Sequence, residues 1–273
     1  MNTKMRNKIA GAIYGFVIGD AMGATTEFMT SEQIRKVHGK VTDIVGGGWL
    51  NLQPGEITDD TQMTMCVMDA IMRMPETIKE FEDNCENNFI AWLNSGPKDV
   101  GGQCSRAIRS MVLGHRIGVD PDAGGNGSLM RAMPLALLDL PLFNVAQGQL
   151  THNNTLCSNI ILNYTELIQD YLNGKDGNLY SKKIKGLLEP SGYILNTYNN
   201  SIYWSKKKSF EEAIVGAVNH GGDADTIAAI TGSLAGAKFG YDAIPEKWIN
   251  QLNPDVKEFL EKFKNFVFSC VQI

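Results

Sequence analysis

The sequence predicts an all-α protein built as one domain of many helices. Apolar residues recur at helical spacing over most of the chain, and strand candidates are few. No alternation of strand and helix marks a parallel sheet. No internal repeat, low-complexity stretch or linker divides the chain. Its 273 residues, 43% hydrophobic and 20% charged, are enough to bury a large core without staples.

The first element is a helix over residues 9–22, with Ile9, Ile13, Phe16 and Val17 on one face. Gly11, Gly15, Gly19 and Gly23 recur at every fourth position. Each glycine costs about 1 kcal/mol of helix propensity against Ala. Close approach of a second helix along that ridge would offset this. Gly232, Gly236 and Gly240 repeat the pattern, so the two helices are expected to pack together at the centre. The basic start followed by an apolar run mimics a secretory leader. Asp20 ends the run, and no small-residue cleavage site precedes Thr25-Thr26-Glu27. A buried first helix and a cytoplasmic protein are the expectation.

Thr30-Ser31-Glu32 is expected to cap a short helix over 32–37. Gly46-Gly47-Gly48 marks a loop that ends near Pro54-Gly55. Helices follow over 58–72, 76–93 and 104–113. Met63, Met65, Met68 and Met72 in the first, and Phe81, Phe89 and Trp92 in the second, are core residues. A Gly- and Asp-rich loop covers 121–127, and a helix over 129–140 carries Pro134 near its start, where proline is tolerated. Residues 155–172 form an amphipathic helix and 173–177 a surface loop. Residues 193–204 fit strand or helix. Helices over 210–218, 225–240 and 256–267 complete the chain.

Charge and cysteine usage exclude some function classes. A net charge of −5 without a long basic run disfavours general nucleic-acid binding. Lys206-Lys207-Lys208 is short and is expected at a solvated helix start. No apolar run reaches membrane-spanning length. Five widely spaced cysteines without a CxxC argue against a disulfide framework or structural zinc.

The chemistry concentrates in two short stretches. Gly221-Gly222-Asp223-Ala224-Asp225-Thr226 places two carboxylates and a hydroxyl at a helix start after a glycine turn. Thr58-Asp59-Asp60-Thr61 repeats the composition. All are hard oxygen donors, suited to Mg²⁺, Mn²⁺ or Ca²⁺ rather than Zn²⁺. Each stretch alone also reads as an ordinary helix cap. Consecutive helical residues point about 100° apart. Asp59 and Asp60 can therefore hold two neighbouring ions, or one of them can bind through the turn before the helix. Four converging carboxylates without metal would raise one another's pKa, so a binuclear site is the economical reading.

Five stretches, taken together, resemble the ADP-ribosylglycohydrolase family. They are residues 15–23 (GFVIGDAMG) with Glu27, Thr58-Asp59-Asp60-Thr61, residues 125–131 (GNGSLMR), Thr151-His152, and the 221–226 stretch. The resemblance implies an orthogonal helical bundle with two Mg²⁺ or Mn²⁺ ions at its centre. It implies a first ligand set of Thr58, Asp59 and Asp60 and a second of Asp223, Asp225 and Thr226. Glu27 would lie over the metals near the scissile bond. Gly125, Asn126, Gly127 and Ser128 would lie near the ADP-ribose, His152 in the nucleotide pocket, and Gly101-Gly102 at a phosphate-contacting turn. The implied activity is removal of ADP-ribose from a modified protein side chain or a small ADP-ribose conjugate. The proton would be moved by Glu27, the preferred candidate, or by Asp59 or Asp60. Competing readings are a binuclear hydrolase of another ADP-ribosyl or nucleoside compound, and a catalytically silent ADP-ribose-binding or structural relative. Ser128 has no evident His/Asp pair, so a serine nucleophile is disfavoured. Gly125-Asn126-Gly127 lacks the third glycine and preceding strand of a dinucleotide fingerprint.

Overall fold

The computed structural model describes residues 2–271, in which fourteen α-helices and no sheet are found. The helices are α1 (Thr3–Gly23), α2 (Ser31–His38), α3 (Asp59–Met72), α4 (Ile78–Asn94), α5 (Gly102–Val112), α6 (Met133–Leu137) and α7 (Pro141–Gln149). They continue with α8 (Thr155–Leu172), α9 (Leu179–Lys183), α10 (Ile194–Ser205), α11 (Phe210–Val218), α12 (Ala224–Phe239), α13 (Glu246–Gln251) and α14 (Pro254–Cys270).

The core is the α1–α12 pair. Every residue of α1 from Lys8 to Gly23 is buried, as is every residue of α12 from Ala224 to Ala237. A Cβ added at Gly15 would fall 2.3 Å from the Gly232 carbonyl oxygen. One added at Gly236 would fall 1.9 Å from that of Gly11. The glycine ridges therefore let two backbones touch, as their spacing predicts. Partner numbers fall as glycine numbers rise, from Gly11–Gly236 through Gly15–Gly232 and Gly19–Ala228 to Gly23–Ala224, so the helices run antiparallel. That register sets the C-terminal end of α1 against the N-terminal end of α12.

The remaining helices wrap this pair. Helices α8, α10 and α11 pack on α12, α14 lies against α1 and α3, and α3, α4 and α5 form a successive layer. Thr30 caps α2 in a reciprocal capping box with Gln33. Residues 193–204 resolve as helix, because Ile194, Tyr198 and Ile202 all bury on one face against α12. The expected helix over 129–140 is a correction. It reduces to the single turn and a half of α6, preceded by a 3-10 turn at Asn126–Ser128. Its C-terminal end at Leu137 is followed by Asp139, at φ 54°, and by Pro141, which opens α7. Helices α7, α9 and α13 were not expected. Lys206–Lys208 lie in the turn after α10 rather than at a helix start, and the Lys206 ammonium donates to the Ile184 carbonyl at 3.0 Å. All five cysteines are free thiols. No helix among the described residues is long and apolar enough to cross a membrane.

Candidate active site

Three helix ends converge where α1 meets α12. Asp20, fully buried on the last turn of α1, accepts from the Thr58 and Thr61 backbone N–H groups at 3.2 Å and from the Thr58 hydroxyl at 2.8 Å. A carboxylate on one helix thus caps the N-terminus of another. It fixes Asp59 and Asp60 beside α12. The chain enters α12 through Gly221 and Gly222, at φ 80° and 66°. A Cβ at Gly222 would fall 1.8 Å from the Pro190 carbonyl oxygen, so only glycine fits that turn. The Gly222 backbone pairs with the segment after α1, accepting from Phe28 N–H and donating to Met29 C=O.

The result is a cavity of about 380 Å³. Glu27, Asp59, Asp60, Asp99, Asp223 and Asp225 line it, and no lysine or arginine is among its lining residues. Carboxylate oxygens of Glu27, Asp223 and Asp225 lie within 4.8 Å of one another. The Thr226 hydroxyl is 3.4 Å from both Asp60 Oδ1 and Asp223 Oδ1, which joins the two acidic stretches. Burial, reinforced by neighbouring carboxylates, pushes Glu27 up to about 8 and Asp59 to about 7. It pushes Asp223 up to about 6, even though Asn126 and Thr226 donate to that carboxylate. Asp60 and Asp225 are driven well above the usual carboxylate range for the same reason. Asp60 Oδ2 is buried with no hydrogen-bond partner among the described residues. An unpartnered carboxyl oxygen with five further carboxyl groups lining the same cavity fits a hard divalent cation.

The rest of the lining is built from backbone and neutral groups. Gly101 and Gly102 open α5 beside Asp59, whose Oδ2 accepts from the Gly101 N–H at 3.3 Å, and no side chain caps the first N–H groups of that helix. Gly125 and Gly127 pack on the imidazole of His152, where added Cβ atoms would meet the ring at 3.0 and 2.8 Å. Arg131, fully buried behind this wall, donates to the Gly127 carbonyl and to the Thr151 hydroxyl at 2.6 Å. Thr151 Oγ1 accepts from Arg131 and is hydrogen-bonded to His152 Nδ1, 2.8 Å away. The contact orients the ring with Nε2 towards Gly125. Burial, with Arg131 and Arg106 nearby, lowers His152 to about 3, so the ring is neutral.

Glu27, Asp59, Asp60, Gly102, Gly125, Asn126, Gly127, His152, Asp223, Asp225 and Thr226 all line the one cavity. Thr58 and Ser128 do not. The Thr58 hydroxyl is engaged by Asp20 and the Asp60 N–H, and Ser128 is fully buried beneath the loop. Asp20, Phe28, Trp49 and Asp99 were missed. Asp20 carried a signal, a lone carboxylate at the end of an apolar helix. Trp49 carried none, because its place depends on the Gly46–Gly48 loop folding back on α1. There the Thr25 hydroxyl donates to Gly46 C=O at 3.0 Å. The Trp49 indole N–H then donates to Glu27 Oε2 at 2.6 Å.

A family model described as ADP-ribosylglycohydrolase matches residues 1–269. The chain is 33% identical to ADP-ribosyl-dinitrogen reductase glycohydrolase of Rhodospirillum rubrum, over 94% of each sequence. It is 28% identical to an ADP-ribosylarginine hydrolase of Pseudomonas putida, over 90% of this chain and 74% of that protein. A solved structure titled as an ADP-ribosylglycohydrolase-related protein complex superposes with a TM-score of 0.83 at 26% identity. The match covers 99% of this chain and 100% of that one.

Proposed function

The chain belongs to the ADP-ribosylglycohydrolase family of hydrolases, and from that premise we propose a divalent-cation-dependent removal of ADP-ribose from a modified protein side chain or small conjugate. The observation that carries the metal dependence is the meeting of two oxygen-donor stretches, far apart in sequence, in a cavity without a compensating cation.

Asp59, Asp60, Asp223, Asp225 and Thr226 would hold one or two ions, Mg²⁺ or Mn²⁺. Such ions supply charge neutralisation, orientation of ribose hydroxyls and a more acidic water. The chain's own groups do the rest. The uncapped N–H groups of Gly102 and its neighbours at the start of α5 suit the diphosphate. Asn126, whose amide donates to Asp223 and to Thr197 Oγ1, and the neutral His152 ring would line the sugar–phosphate side. Glu27, held in orientation by Trp49, takes a proton from the attacking water and returns one to the departing acceptor. Water thereby gives its hydroxyl to the ribose anomeric carbon and its proton to the acceptor. Five unpaired thiols suit a reducing cytoplasm.

The test is release of free ADP-ribose from arginine-, serine- and O-acetyl-linked conjugates, with Mg²⁺ or Mn²⁺ and with a chelator. Release that stops on chelation is expected. No release from any conjugate would leave ADP-ribose binding without turnover. Release undiminished by the chelator would remove the metal.

A further inference from the structure

The Lys206-Lys207-Lys208 run takes no part in the acidic cavity and belongs to a larger cluster. The Lys206 ammonium donates to the carbonyls of Ser181 and Ile184 at the end of α9, so the turn after α10 lies on that short helix. Lys182, Lys183 and Lys185 are at the same place in the chain. Partial burial, then the neighbouring Lys185 and Lys238 ammoniums, lower Lys206, with Asp176 opposing. Lys182, Lys183, Lys185, Lys206 and Lys208 are exposed. Lys207 Nζ lies 4.3 and 4.8 Å from the Tyr203 and Trp204 ring centroids. None of these six lysines is ion-paired among the described residues. Leu179, 80% exposed, shares the outer face of α9 with Lys182 and Lys183 at i, i+3 and i+4 spacing, while Ser181 is buried. Leu187 and Leu188 are exposed just beyond Lys185.

The cluster sits at the pole opposite the cavity. Helix α12 starts at the cavity and ends 16 residues later, about 24 Å away by its rise, with Lys238 in its last turn. The antiparallel register brings the first turns of α1, with exposed Lys4 and Arg6, to that pole. Lys8 donates to the Leu172 carbonyl at 3.4 Å, so the end of α8 is there too. A chain of net charge −5 thus gathers carboxylates at one end and lysines at the other. Such a separation orients a molecule before a charged surface. We propose that this pole docks on an anionic lipid surface, with the cavity turned away from it. Each lysine near an anionic leaflet adds attraction, and exposed leucines add apolar burial at the headgroup boundary. Lysine is a hydrated point charge, without the planar fork that reads single carboxylates or phosphates of a folded partner. Asp176, Glu189, Glu211 and Glu212 are close in sequence and weaken the field, but the six lysines outnumber them. Glu212 Oε2 is turned to the Lys208 backbone N–H, at 3.3 Å.

The test is sedimentation of the full chain with equimolar phosphatidylserine–phosphatidylcholine vesicles, with phosphatidylcholine vesicles and with polyuridylate. A chelator is present throughout, so that no cation bridges lipid to the acidic cavity. The anionic vesicles should retain the wild type and the neutral ones should not. Salt at about 1 M, where the screening length is about 3 Å, should release it. The triple variant Lys182→Glu, Lys183→Glu, Lys185→Glu should bind anionic vesicles at least about tenfold more weakly, at an unchanged melting temperature. The corresponding triple Gln variant, which removes charge without reversing it, should show a smaller loss in the same direction. Leu179→Ala should weaken vesicle binding severalfold and leave polyuridylate binding unchanged. Equal retention of the wild type and both triple variants, or no preference of the wild type for anionic vesicles, overturns the proposal. A wild type that binds polyuridylate as tightly as anionic vesicles, with Leu179→Ala unaffected on either, overturns the lipid assignment and makes the pole a general polyanion site.

Discussion

Arg131 and Asp60 are both fully buried, one behind the glycine wall of the cavity and one on its acidic wall, and their polar atoms fare differently. The Arg131 guanidinium has no carboxylate partner, yet its donors are met. Gln147 Oε1 lies at 2.7 Å, Gln147 C=O at 2.8 Å, and Gly127 C=O and Thr151 Oγ1 complete the set, with the Phe89 ring 4.9 Å away. Asp60 accepts one long bond from Thr226 and leaves Oδ2 unmet. A buried charge that the fold satisfies internally is structural. One whose oxygens are left facing a cavity is available to a ligand. The distinction lies in hydrogen-bond completion, since both residues are equally buried.

The sharpest way to break this contrast is Arg131→Met. It keeps much of the volume but strands the acceptors around the guanidinium. A loss of about 3–5 kcal/mol in chemical denaturation is expected, with or without metal. A loss that depended on metal would erase the difference between the walls. The second test is pH. Carboxyl groups raised in the fold stabilise it fully below their unfolded values near 4, and that contribution is lost as pH rises through about 6, 7 and 8. His152, lowered to about 3, acts oppositely, losing stability as pH falls below 6.5. Above pH 6.5 the carboxylates act alone. The chelated protein should therefore lose on the order of 2 kcal/mol between pH 6.5 and 8. Mg²⁺ or Mn²⁺ should protect it more as pH rises. A flat melting temperature across that window would refute the uncompensated wall. The smallest expected effect is that of Asp60→Asn, which removes a carboxyl that the metal-free fold must either keep protonated or bury as an unmatched charge. The chelated variant should gain about 1 kcal/mol, since a neutral amide is cheaper to bury. Its melting temperature should stop responding to the cation that stabilises wild type. A variant destabilised without metal would make Asp60 structural, like Arg131.

Much of this was legible in the sequence because it is written in local patterns. The glycine ridges of α1 and α12 announced a close helix pair. The two acid–threonine stretches announced oxygen donors at helix starts. What the residues alone left open was their convergence, which follows from the antiparallel register of α1 on α12 and from Asp20 capping α3. Asp20 read as the end of an apolar run because its partners, Thr58 and Thr61, are some forty positions away. Trp49 and Phe28 were invisible for the same reason, since a positive φ at a phenylalanine has no sequence signal. The helix over 129–140 was overextended because apolar content persists through Leu138 and Leu140, whereas the backbone turns at Asp139.

The antiparallel contact has a consequence for how the molecule is made. Gly23 and Ala224 are about 200 positions apart, so α1 leaves the ribosome long before the helix that covers its glycine face. At about 5–20 residues per second the wait is roughly 10–40 s. During it the nascent chain holds an unpaired apolar helix and one half of an acidic cavity. The site cannot close until α12, within the last quarter of the protein, has been synthesised, which makes assembly of the acidic cavity a late event in maturation.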